Sequence, residues 1–489
     1  MKRYANYISK IIFSIISISF MILISGCTVG PNYIRPEATT IATNYTDIAP
    51  GWKIAAPKDS LPKGNWWEIF GNTALNHLEE NALTANQNLK AAFARFEQAR
   101  AQADVASSGL FPKITAGVNA TRQKDSENRP LSNTGKEAGQ GFTYNNFSIP
   151  FDLNYELDFW GKIRRQVEAA NANLQANADY LEWIKLEITS ETAADYFSLR
   201  SLDAEKVMID STINVYRKAL KLVLNRRAGG LASDLEVAQA ETVLKTAEAL
   251  LPAHELQRTK FQNALAVLTG KNASLFSIKP EPFNLELPLI PPGLPSELLE
   301  RRPDIASAER LMAAANAYVG VATAAFYPSI SLGGTAGLQS ADLAALFNAP
   351  SALWSAGASL FQPIFEGGKL SAQLKAAKSS YDESVAAYRQ TVLSAFADVE
   401  NNLAAQRLLT QQYEAEVSAL ESALKQYRIA NNQYKAGLIT YLNVSSSTAT
   451  VLTLQSNVYR IISERFVAAV ALIKSIGGGW QAAERVGLR

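Results

Sequence analysis

Cysteine and histidine, which supply many catalytic and metal-binding groups, are scarce in this chain. Its 489 residues include one cysteine, Cys27, and two histidines, His77 and His254. A single cysteine excludes an intramolecular disulfide. Neither histidine has a Cys, His or carboxylate cluster at metal-ligand spacing, so both are interpreted as surface side chains. We find neither a nucleophile–base pair nor a phosphate-binding glycine loop, and therefore predict a protein that is not an enzyme and binds no metal or other cofactor.

Long apolar runs are also missing, except at the N-terminus. There a basic start and an apolar stretch over 11–24 precede Cys27, and the small residues before it resemble a bacterial lipobox. We predict a signal peptide over 1–26 and acylation of Cys27; the alternative is a plain signal peptide that happens to contain a cysteine. Beyond Cys27 no run reaches the roughly 20 apolar residues of a transmembrane helix. The mature protein is therefore soluble, surface-anchored, or membrane-spanning through β-strands.

A strong excess of positive charge is absent as well. The formal net charge is +2 at pH 7. Removal of residues 1–26 would take away three basic residues and no acid, which leaves 2 − 3 = −1. This balance gives no electrostatic support to a nucleic-acid partner.

One segment has the pattern of an unusually long β-strand. From 147 to 159 every second residue is aromatic or aliphatic, and the residues between them are polar or acidic apart from Pro150. A strand in a soluble sheet usually has about five or six residues, whereas a membrane strand has roughly 9–11 that alternate in this way. We predict strands over 113–121, 145–159, 329–335 and 355–365, and extracellular loops over 122–144 and 336–354.

The alternation also gives the long strand an orientation. Its apolar face is predicted to contact lipid through Phe147, Phe151, Tyr155 and Phe159. The opposite face would then direct three carboxylates into a water-filled lumen, those of Asp152, Glu156 and Asp158. The reverse orientation would bury these carboxylates in hydrocarbon, which is energetically costly.

Helical periodicity fills most of the remaining sequence. One helix is predicted over 73–108, and Pro112 follows it. Residues 163–227 contain neither proline nor glycine, so a continuous helix there would be on the order of 95 Å long at about 1.5 Å per residue. Returning helices are predicted over 234–268 and 441–476, which makes two long helical hairpins. A spacing of three and four between apolar residues in the second hairpin is typical of coiled-coil packing.

The two hairpins belong to an internal duplication. Their turns carry Gly230 and Gly437, which are 437 − 230 = 207 positions apart and are expected to end the outgoing helices in the left-handed conformation. Ser233 and Thr440 are expected to cap the returning helices. The repeat divides the chain into a signal peptide (1–26), a lipid-anchored leader (27–64), a first repeat (65–276), a Pro-rich linker (277–295), a second repeat (296–479) and a C-terminal tail (480–489).

Four membrane strands per chain determine the predicted assembly. They cannot close a barrel alone, and an open edge in lipid would leave backbone groups unpaired. Three chains would supply 3 × 4 = 12 strands, an even number in the known range. We therefore predict an α+β membrane protein, a trimeric 12-stranded β-barrel continued by a long α-helical coiled-coil barrel. The alternative is a periplasmic coiled-coil lipoprotein with a small β domain, which does not explain the long apolar strand face.

Motifs along essentially the whole mature chain resemble one family. They are Cys27–Tyr33 with Arg35-Pro36, Trp66-Trp67 with Phe70, Arg301–Ile305 with Glu309, Phe326–Leu332, Tyr434–Leu438 and Gly477–Trp480. Together they resemble the outer-membrane factor family of TolC-like channels, in the lipoprotein branch that includes OprM, CusC and NodT.

This resemblance implies a function and a set of partners. The chain would be the outer-membrane channel of a tripartite efflux system, a passive exit duct for drugs, other small molecules or ions from the periplasm to the exterior. It would form a homotrimer, contact outer-membrane lipid, and dock with a periplasmic adaptor protein and an inner-membrane pump. The alternative is a periplasmic coiled-coil structural or adaptor lipoprotein.

The resemblance also implies a gate at the periplasmic mouth, where the hairpins turn. Leu442 matches the family's position for a hydrophobic ring. Relatives often place acidic residues just beyond it, whereas the matching residues here are Asn443 and Ser446. The acidic candidates are Asp234 and Glu236 of the first repeat, with Tyr434 and Lys435 as candidate latch partners. The alternative is that these charges only solvate the tip.

Overall fold

The computed structural model describes residues 28–37, 65–126, 143–281, 286–288, 290 and 301–478. The predicted signal peptide, the anchor Cys27 and the predicted C-terminal tail lie outside the described residues. Most of the first predicted extracellular loop and parts of the leader and linker lie outside them as well. Within the described ranges, no helix is both long and apolar enough to cross a membrane.

The described residues contain long helices and one antiparallel sheet. The helices are α1 (Thr73–Ala85), α2 (Gln87–Ser108), α3 (Lys162–Ala228), α4 (Asp234–Leu268), α5 (Pro303–Ala324), α6 (Lys369–Lys435) and α7 (Tyr441–Ser475). The strands are β1 (Lys113–Ala116), β2 (Asn119–Lys124), β3 (Thr143–Leu157), β4 (Ser329–Ser340) and β5 (Ala352–Phe361). Short 3₁₀ turns occupy Trp66–Phe70, Ala273–Leu275, Leu343–Ala345 and Ala349–Ser351.

The chain divides into two compact units, and each draws on both halves of the sequence. The sheet unit comprises the described residues within 1–36, 97–175 and 309–386. The helical unit comprises those within 37–96, 176–308 and 387–489. The turns of both helical hairpins therefore belong to the helical unit.

The sheet has four strand lines, that is, four positions across its width, in the order β1/β2, β3, β4, β5. β1 and β2 share the first position because both pair with β3. β1 and β2 pair with β3 in one unchanged register, since Lys113 faces Asn154 and Asn119 faces Ser148. Between them the Gly117 N–H donates to the Pro150 carbonyl at 3.0 Å. Proline has no N–H to return, so the ladder is interrupted there. The predicted single strand over 113–121 is thus corrected to two segments that continue to Lys124.

The other strand boundaries also differ from the prediction. β4 continues to Ser340 and β5 begins at Ala352, so the second predicted loop shrinks from 336–354 to 341–351. β3 begins at Thr143 and ends at Leu157 rather than at residue 159. It ends early because the next residue, Asp158, accepts hydrogen bonds from the first amides of α3. β5 ends at Phe361 rather than at 365, shortly before Pro363, which has no N–H to donate to a ladder.

The predicted continuous helix over 73–108 is wrong, because Asn86 separates α1 from α2. Its backbone is extended, with φ −60° and ψ 130°. The Asn86 side chain accepts from the Asn88 N–H at 2.8 Å and donates to the Leu268 carbonyl at 2.9 Å. Asn86 therefore caps α2 and joins it to the end of α4. The bond to α4 depends on Leu268, which lies 182 positions away.

Both predicted helical hairpins are confirmed. α3 and α6 each run for 67 residues, and α4 and α7 each run for 35. Gly230 and Gly437 have φ of 72° and 76°, in the left-handed region that favours glycine. After each glycine, the amide of Leu231 or Leu438 donates back into the last turn of the outgoing helix, which completes a Schellman motif.

A buried ion cluster fixes the linker to the helical unit. Asp203 of α3 accepts from Arg200 at 3.0 Å and from Arg258 of α4 at 2.7 Å. The two guanidinium groups also donate to the carbonyls of Lys279 and Ile278, at 2.7 and 2.8 Å. All three charged side chains are buried. The cluster therefore joins two helices and the segment that follows them.

Glu79 of α1 is buried, and neither of its carboxylate oxygens has a hydrogen-bond partner among the described residues. Burial raises the pKa of this carboxyl well above its usual range, so the folded protein holds it protonated. The unfolded chain ionises it near pH 4.3, so the stability of the fold decreases as the pH rises above about that value.

Glu79→Leu is therefore expected to stabilise the protein at neutral pH, by about 1–3 kcal/mol, since it removes an unsatisfied buried polar group. It should also flatten the fall in melting temperature between about pH 5 and pH 7. Thermal unfolding followed by circular dichroism measures both effects. Glu241→Leu, at an exposed position of α4 in the same unit, is the control and should leave the pH dependence unchanged. An unchanged pH dependence in Glu79→Leu would contradict the assignment.

Candidate functional site

The turns of the two hairpins share one small hydrophobic core in the helical unit. The first hairpin contributes three buried residues and the second contributes four, namely Val223, Val237 and Ala240, and Ala430, Tyr434, Tyr441 and Val444. Tyr434 and Tyr441 meet edge to face, with ring centroids 5.4 Å apart. The two hairpins are therefore packed together at their turns, and the predicted gate residues lie in or around this core.

Glu236 bonds to both hairpins. Its carboxylate accepts from the Ser233 N–H at 3.1 Å, and the Ser233 hydroxyl accepts from the Glu236 N–H at 3.3 Å, which forms a capping box on α4. The other carboxylate oxygen accepts from the Tyr441 N–H at 3.2 Å, at the start of α7. One side chain thus satisfies the N-termini of two returning helices, where a negative charge is also favoured by the helix dipoles.

Arg226 makes a further bond between the hairpins, close to their turns. Its guanidinium donates to the Tyr434 carbonyl at 2.7 Å and lies 4.6 Å from the centroid of the Tyr434 ring. The Tyr434 hydroxyl is buried and has no hydrogen-bond partner in the described part of the chain. Burial raises its pKa, with a further contribution from the charge of Glu236, so the hydroxyl stays neutral. Tyr434 therefore joins the hairpins through its ring and its carbonyl.

The other predicted latch residues have different surroundings. Asp234 pairs with Arg227 of its own hairpin at 2.5 Å, in an exposed position. Lys435 is exposed, and no ion pair to it is found among the described residues. Sequence reasoning missed Arg226 and Arg227, although two basic residues in the last turn of a helix are a recognisable signal of favourable dipole interactions.

Leu442 lies at the surface of the tip. Its side chain is 57% exposed, and that of Leu235, its equivalent 442 − 235 = 207 positions earlier, is 66% exposed. Asn443 and Ser446 are exposed on the first turns of the same helix. The second pair of leucines, Leu231 and Leu438, directly follows the glycine turns and is exposed as well.

The pairing register separates the sheet into an apolar and a polar face. Directly opposed residues share a face, and the apolar one carries Ile114, Phe147, Ile149, Phe151, Leu153, Tyr155, Leu157, Ile330, Leu332, Leu338, Trp354 and Leu360. On the other face Asp152 lies beside Thr335, which lies beside Ser355. This second face consists mainly of Gly, Ser, Thr and Asn residues.

The three predicted lumen carboxylates lie in different surroundings. Asp152 is in the middle of β3 and accepts from the Thr335 hydroxyl at 2.6 Å. Glu156 pairs with Lys162 at 3.0 Å. Asp158 caps α3 by accepting from the amides of residues 163 and 164 at 2.9 and 2.8 Å. Of the three carboxylates, Asp152 therefore bonds to a neighbouring strand, whereas Glu156 and Asp158 bond to residues at the start of α3.

A leader strap, residues 28–37, packs within the sheet unit up to Pro36. The Val29 N–H donates to the Trp160 carbonyl at 3.0 Å, and Asn32 accepts from Arg165 at 2.7 Å. Tyr33 donates to Glu309 at 3.3 Å. Gly30 has φ of 91°, and a Cβ on it would lie 2.5 Å from the Cα of Gly320. The residues that follow Cys27 are thus held against α3 and α5.

The two histidines are not alike. His77 is exposed and lies 3.5 Å from Glu80. His254 is buried in α4, which corrects the prediction of a surface side chain, and its nearest carboxylate is that of Glu205 at 3.9 Å. The described residues contain no cluster of three or more His, Cys, Asp or Glu side chains that could hold a metal ion.

Comparison with known proteins is consistent with this architecture. The model of the outer membrane efflux protein family matches residues 78–271 and 294–478. This chain belongs to the outer membrane efflux protein family. Its members are channels rather than enzymes, and the chain is accordingly an outer-membrane efflux component.

Individual members of the outer membrane efflux protein family cover nearly the whole chain. The pyoverdine export outer membrane protein OpmQ of Pseudomonas putida is 33% identical over 444 residues, which are 89% of this chain and 93% of OpmQ. Among solved structures, the CmeC channel of Campylobacter jejuni has a TM-score of 0.87 and 28% identity, with 94% of this chain and 96% of CmeC covered. The outer-membrane channel OprN has a TM-score of 0.84 and 28% identity, with 93% of this chain and 100% of OprN covered.

Proposed function

We propose that three copies of the chain assemble into a single channel with a 12-stranded barrel and a helical tunnel. The observation that carries this proposal is the sheet, whose apolar face is continuous over four strand lines and whose outer lines, β1/β2 and β5, each pair on one side only within the described residues. In lipid, an open strand edge leaves backbone N–H and C=O groups without hydrogen bonds, which costs free energy. Edge-to-edge pairing of three copies would satisfy these groups. Native mass spectrometry of the purified protein in detergent should give the mass of a trimer; a monomer would contradict the assembly.

The solute would leave through the centre of this barrel. The polar face of the sheet lines the lumen, and the apolar face contacts lipid. The carboxylate of Asp152 lies in the middle of the polar face, so the three copies would give the lumen a mild preference for cations. Because the pore is filled with water, high salt would screen this preference.

Acylation of Cys27 would anchor each chain in the outer membrane. The strap places Thr28 against Gly161, where a Cβ would lie 2.6 Å from the Thr28 side chain. The anchor would therefore emerge at the junction of β3 and α3, close to the base of the sheet. Cys27→Ser is expected to abolish metabolic labelling with palmitate while the trimer still forms. Labelled Cys27→Ser protein would show that the acyl chains are attached elsewhere.

The hairpin turns would form the periplasmic mouth, where an adaptor protein and an inner-membrane pump engage the channel. The two exposed leucines that directly follow the glycine turns, Leu231 and Leu438, offer an adaptor a repeated apolar contact. Adaptor binding would favour a state in which the second hairpin lies further outward, a population shift that requires different affinities for the two states. The contacts of Glu236 and Arg226 hold the hairpins together until then.

Leu442→Ala is expected to raise the basal conductance of isolated trimers several-fold, because the three leucines would form a hydrophobic ring across the mouth. Glu236→Ala should raise it less, since one helix cap contributes about 1 kcal/mol. Single-channel recording measures both. Leu235→Ala is the matched control in the first repeat and should stay close to the unmodified protein. Unchanged conductance in Leu442→Ala would place the constriction at another residue.

A further inference from the structure

The strands of the sheet repeat with the internal duplication, in two blocks. β4 matches the span from the start of β1 to the end of β2, since 329 − 113 = 216 and 340 − 124 = 216. The end of β3 and the turn after it recur 360 − 153 = 207 positions later, at the end of β5. In this second block Leu153, Leu157 and Gly161 correspond to Leu360, Ile364 and Gly368.

One junction between the two repeats is made within the chain. There β3, the last strand of the first repeat, pairs antiparallel with β4, the first strand of the second repeat. Leu157 lies opposite Ile330, and Leu153 lies opposite Gly334. Beyond the strands, the Trp160 ring stacks on Tyr327 with centroids 4.8 Å apart. The register of this junction is therefore fixed by contacts on and beyond the strands.

The equivalent junction, between the last strand of the second repeat and the first strand of the first repeat, is open. Its two sides are β5 and β1/β2, the outer lines of the sheet. Both sides carry exposed aliphatic side chains. Val118 is 80% exposed and Ile364 is 89% exposed, and Ile114 and Leu360 are exposed as well. Apolar residues at equivalent places on both edges indicate that the two edges fit each other.

We propose that β5 of one copy pairs with β1/β2 of the next copy in the register that β3 and β4 have within the chain. Leu360 then lies opposite Val118 of the next copy, because 334 − 216 = 118. Ile364 lies opposite Ile114 of the next copy, because 330 − 216 = 114. This inference rests on the proposed function, in which three copies assemble edge to edge. The ring would alternate three junctions within chains with three junctions between chains.

The side chains on the two edges favour this register. It matches the four exposed aliphatic residues in two apolar pairs on the lipid face. On the other face, Phe361 lies opposite Gly117, which has no side chain to obstruct the ring. A shift by two residues would place Leu360 opposite Ala116 or Ala120 and would leave Val118 without its aliphatic partner. A shift by one residue would oppose the apolar face of one edge to the polar face of the other.

Two double variants test the register: Val118→Cys with Leu360→Cys, and Asn119→Cys with Ser359→Cys. Adjacent positions of an antiparallel pair alternate between hydrogen-bonded and non-hydrogen-bonded pairs, so the two variants sample both kinds. Directly opposed Cβ atoms lie about 4.5–5.5 Å apart, so oxidation of the purified trimer with copper phenanthroline should join neighbouring copies. Heated, non-reducing electrophoresis should show loss of the monomer band and covalent trimers, which dithiothreitol returns to monomers.

Leu360→Cys combined with Ala116→Cys or with Ala120→Cys shifts the pairing by two residues in either direction. These control variants should keep the monomer band, because diagonal neighbours lie about 7–8 Å apart. The single variants Leu360→Cys and Val118→Cys should keep it too, which controls for Cys27.

Native mass spectrometry of each variant separates this inference from the proposed function. A trimer that cross-links only in a shifted pair, or in neither matched pair, would overturn the register and leave the assembly in place. A monomer would contradict the proposed assembly, and the register with it.

Discussion

Phe151→Lys is expected to prevent assembly of the folded trimer in the membrane. Phe151 is in the middle of β3, opposite Ala116 on one side and Ala336 on the other, and its side chain is 54% exposed in the single chain. A lysine at the middle of the lipid-facing surface of a barrel costs about 2–4 kcal/mol, and the trimer would carry three of them. Semi-native gel electrophoresis of membrane extracts, with and without heating, measures the loss of trimer.

The adjacent residue supplies the control for this prediction. Asp152→Lys introduces the same side chain one position along the strand, on the opposite face, which is proposed to line the water-filled lumen. It should assemble, and it should shift the ion preference of the channel from cations toward anions. Assembly of Phe151→Lys together with failure of Asp152→Lys would reverse the assignment of the two faces.

Asp203→Ala is expected to destabilise the helical unit by about 3–5 kcal/mol, the usual cost of leaving buried charges without their partner. The Asp203 side chain is 1% exposed and accepts from two arginines. Its loss would leave the guanidinium groups of Arg200 and Arg258 buried without their shared carboxylate. The segment near Lys279 should loosen with them, because both arginines hold its carbonyls. Thermal unfolding and limited proteolysis measure these effects.

Asp210→Ala is the matched control on the same helix. Asp210 pairs with Lys206 at 2.9 Å, but its side chain is 48% exposed, so its loss should cost at most about 0.5 kcal/mol. Equal destabilisation by the two substitutions would mean that the buried cluster contributes no more than an exposed ion pair.

Features fixed by nearby residues could be predicted from the sequence. The alternation along β3 predicts its two faces because successive side chains of any strand point in opposite directions. Gly230 and Gly437 mark the hairpin turns because a left-handed residue at the end of a helix favours glycine for steric reasons. The starts of α4 and α7 follow directly from these turns. The predicted cap is confirmed at Ser233, whereas Thr440 lies at the N-cap position but its side chain makes no cap hydrogen bond.

Features that depend on distant residues could not be predicted in this way. Residues 336–340 are predicted to belong to a loop, yet they continue β4. At Gly337 the reason is the partner strand, since a Cβ there would lie 2.2 Å from the Ile149 carbonyl oxygen. The pairing with Pro150 that brings the backbones together joins residues 337 − 150 = 187 positions apart.

The candidate gate also combines features set by nearby residues with features set by distant residues. Family resemblance places the candidate gate at the hairpin turns, and it pairs the acidic residues with Tyr434 and Lys435. In the structure Glu236 caps two helices and Asp234 pairs with Arg227, while Arg226 provides the contact to Tyr434. The position of the Glu236 carboxylate is therefore set by the backbone N–H groups at two helix N-termini, which donate hydrogen bonds to it. The contact partner of Arg226 lies 208 positions away, beyond the reach of any local pattern.

Single-channel recording of the unmodified protein tests the central claim most directly. The purified, acylated protein, reconstituted in a planar bilayer, is expected to insert as trimers that give discrete conductance steps with a mild cation preference at low salt. The basal open probability should be low, because Glu236 and Arg226 hold the hairpin turns together. A folded trimer that inserts into lipid and never conducts, either alone or after Leu442→Ala, would contradict the assignment of this chain as the exit duct.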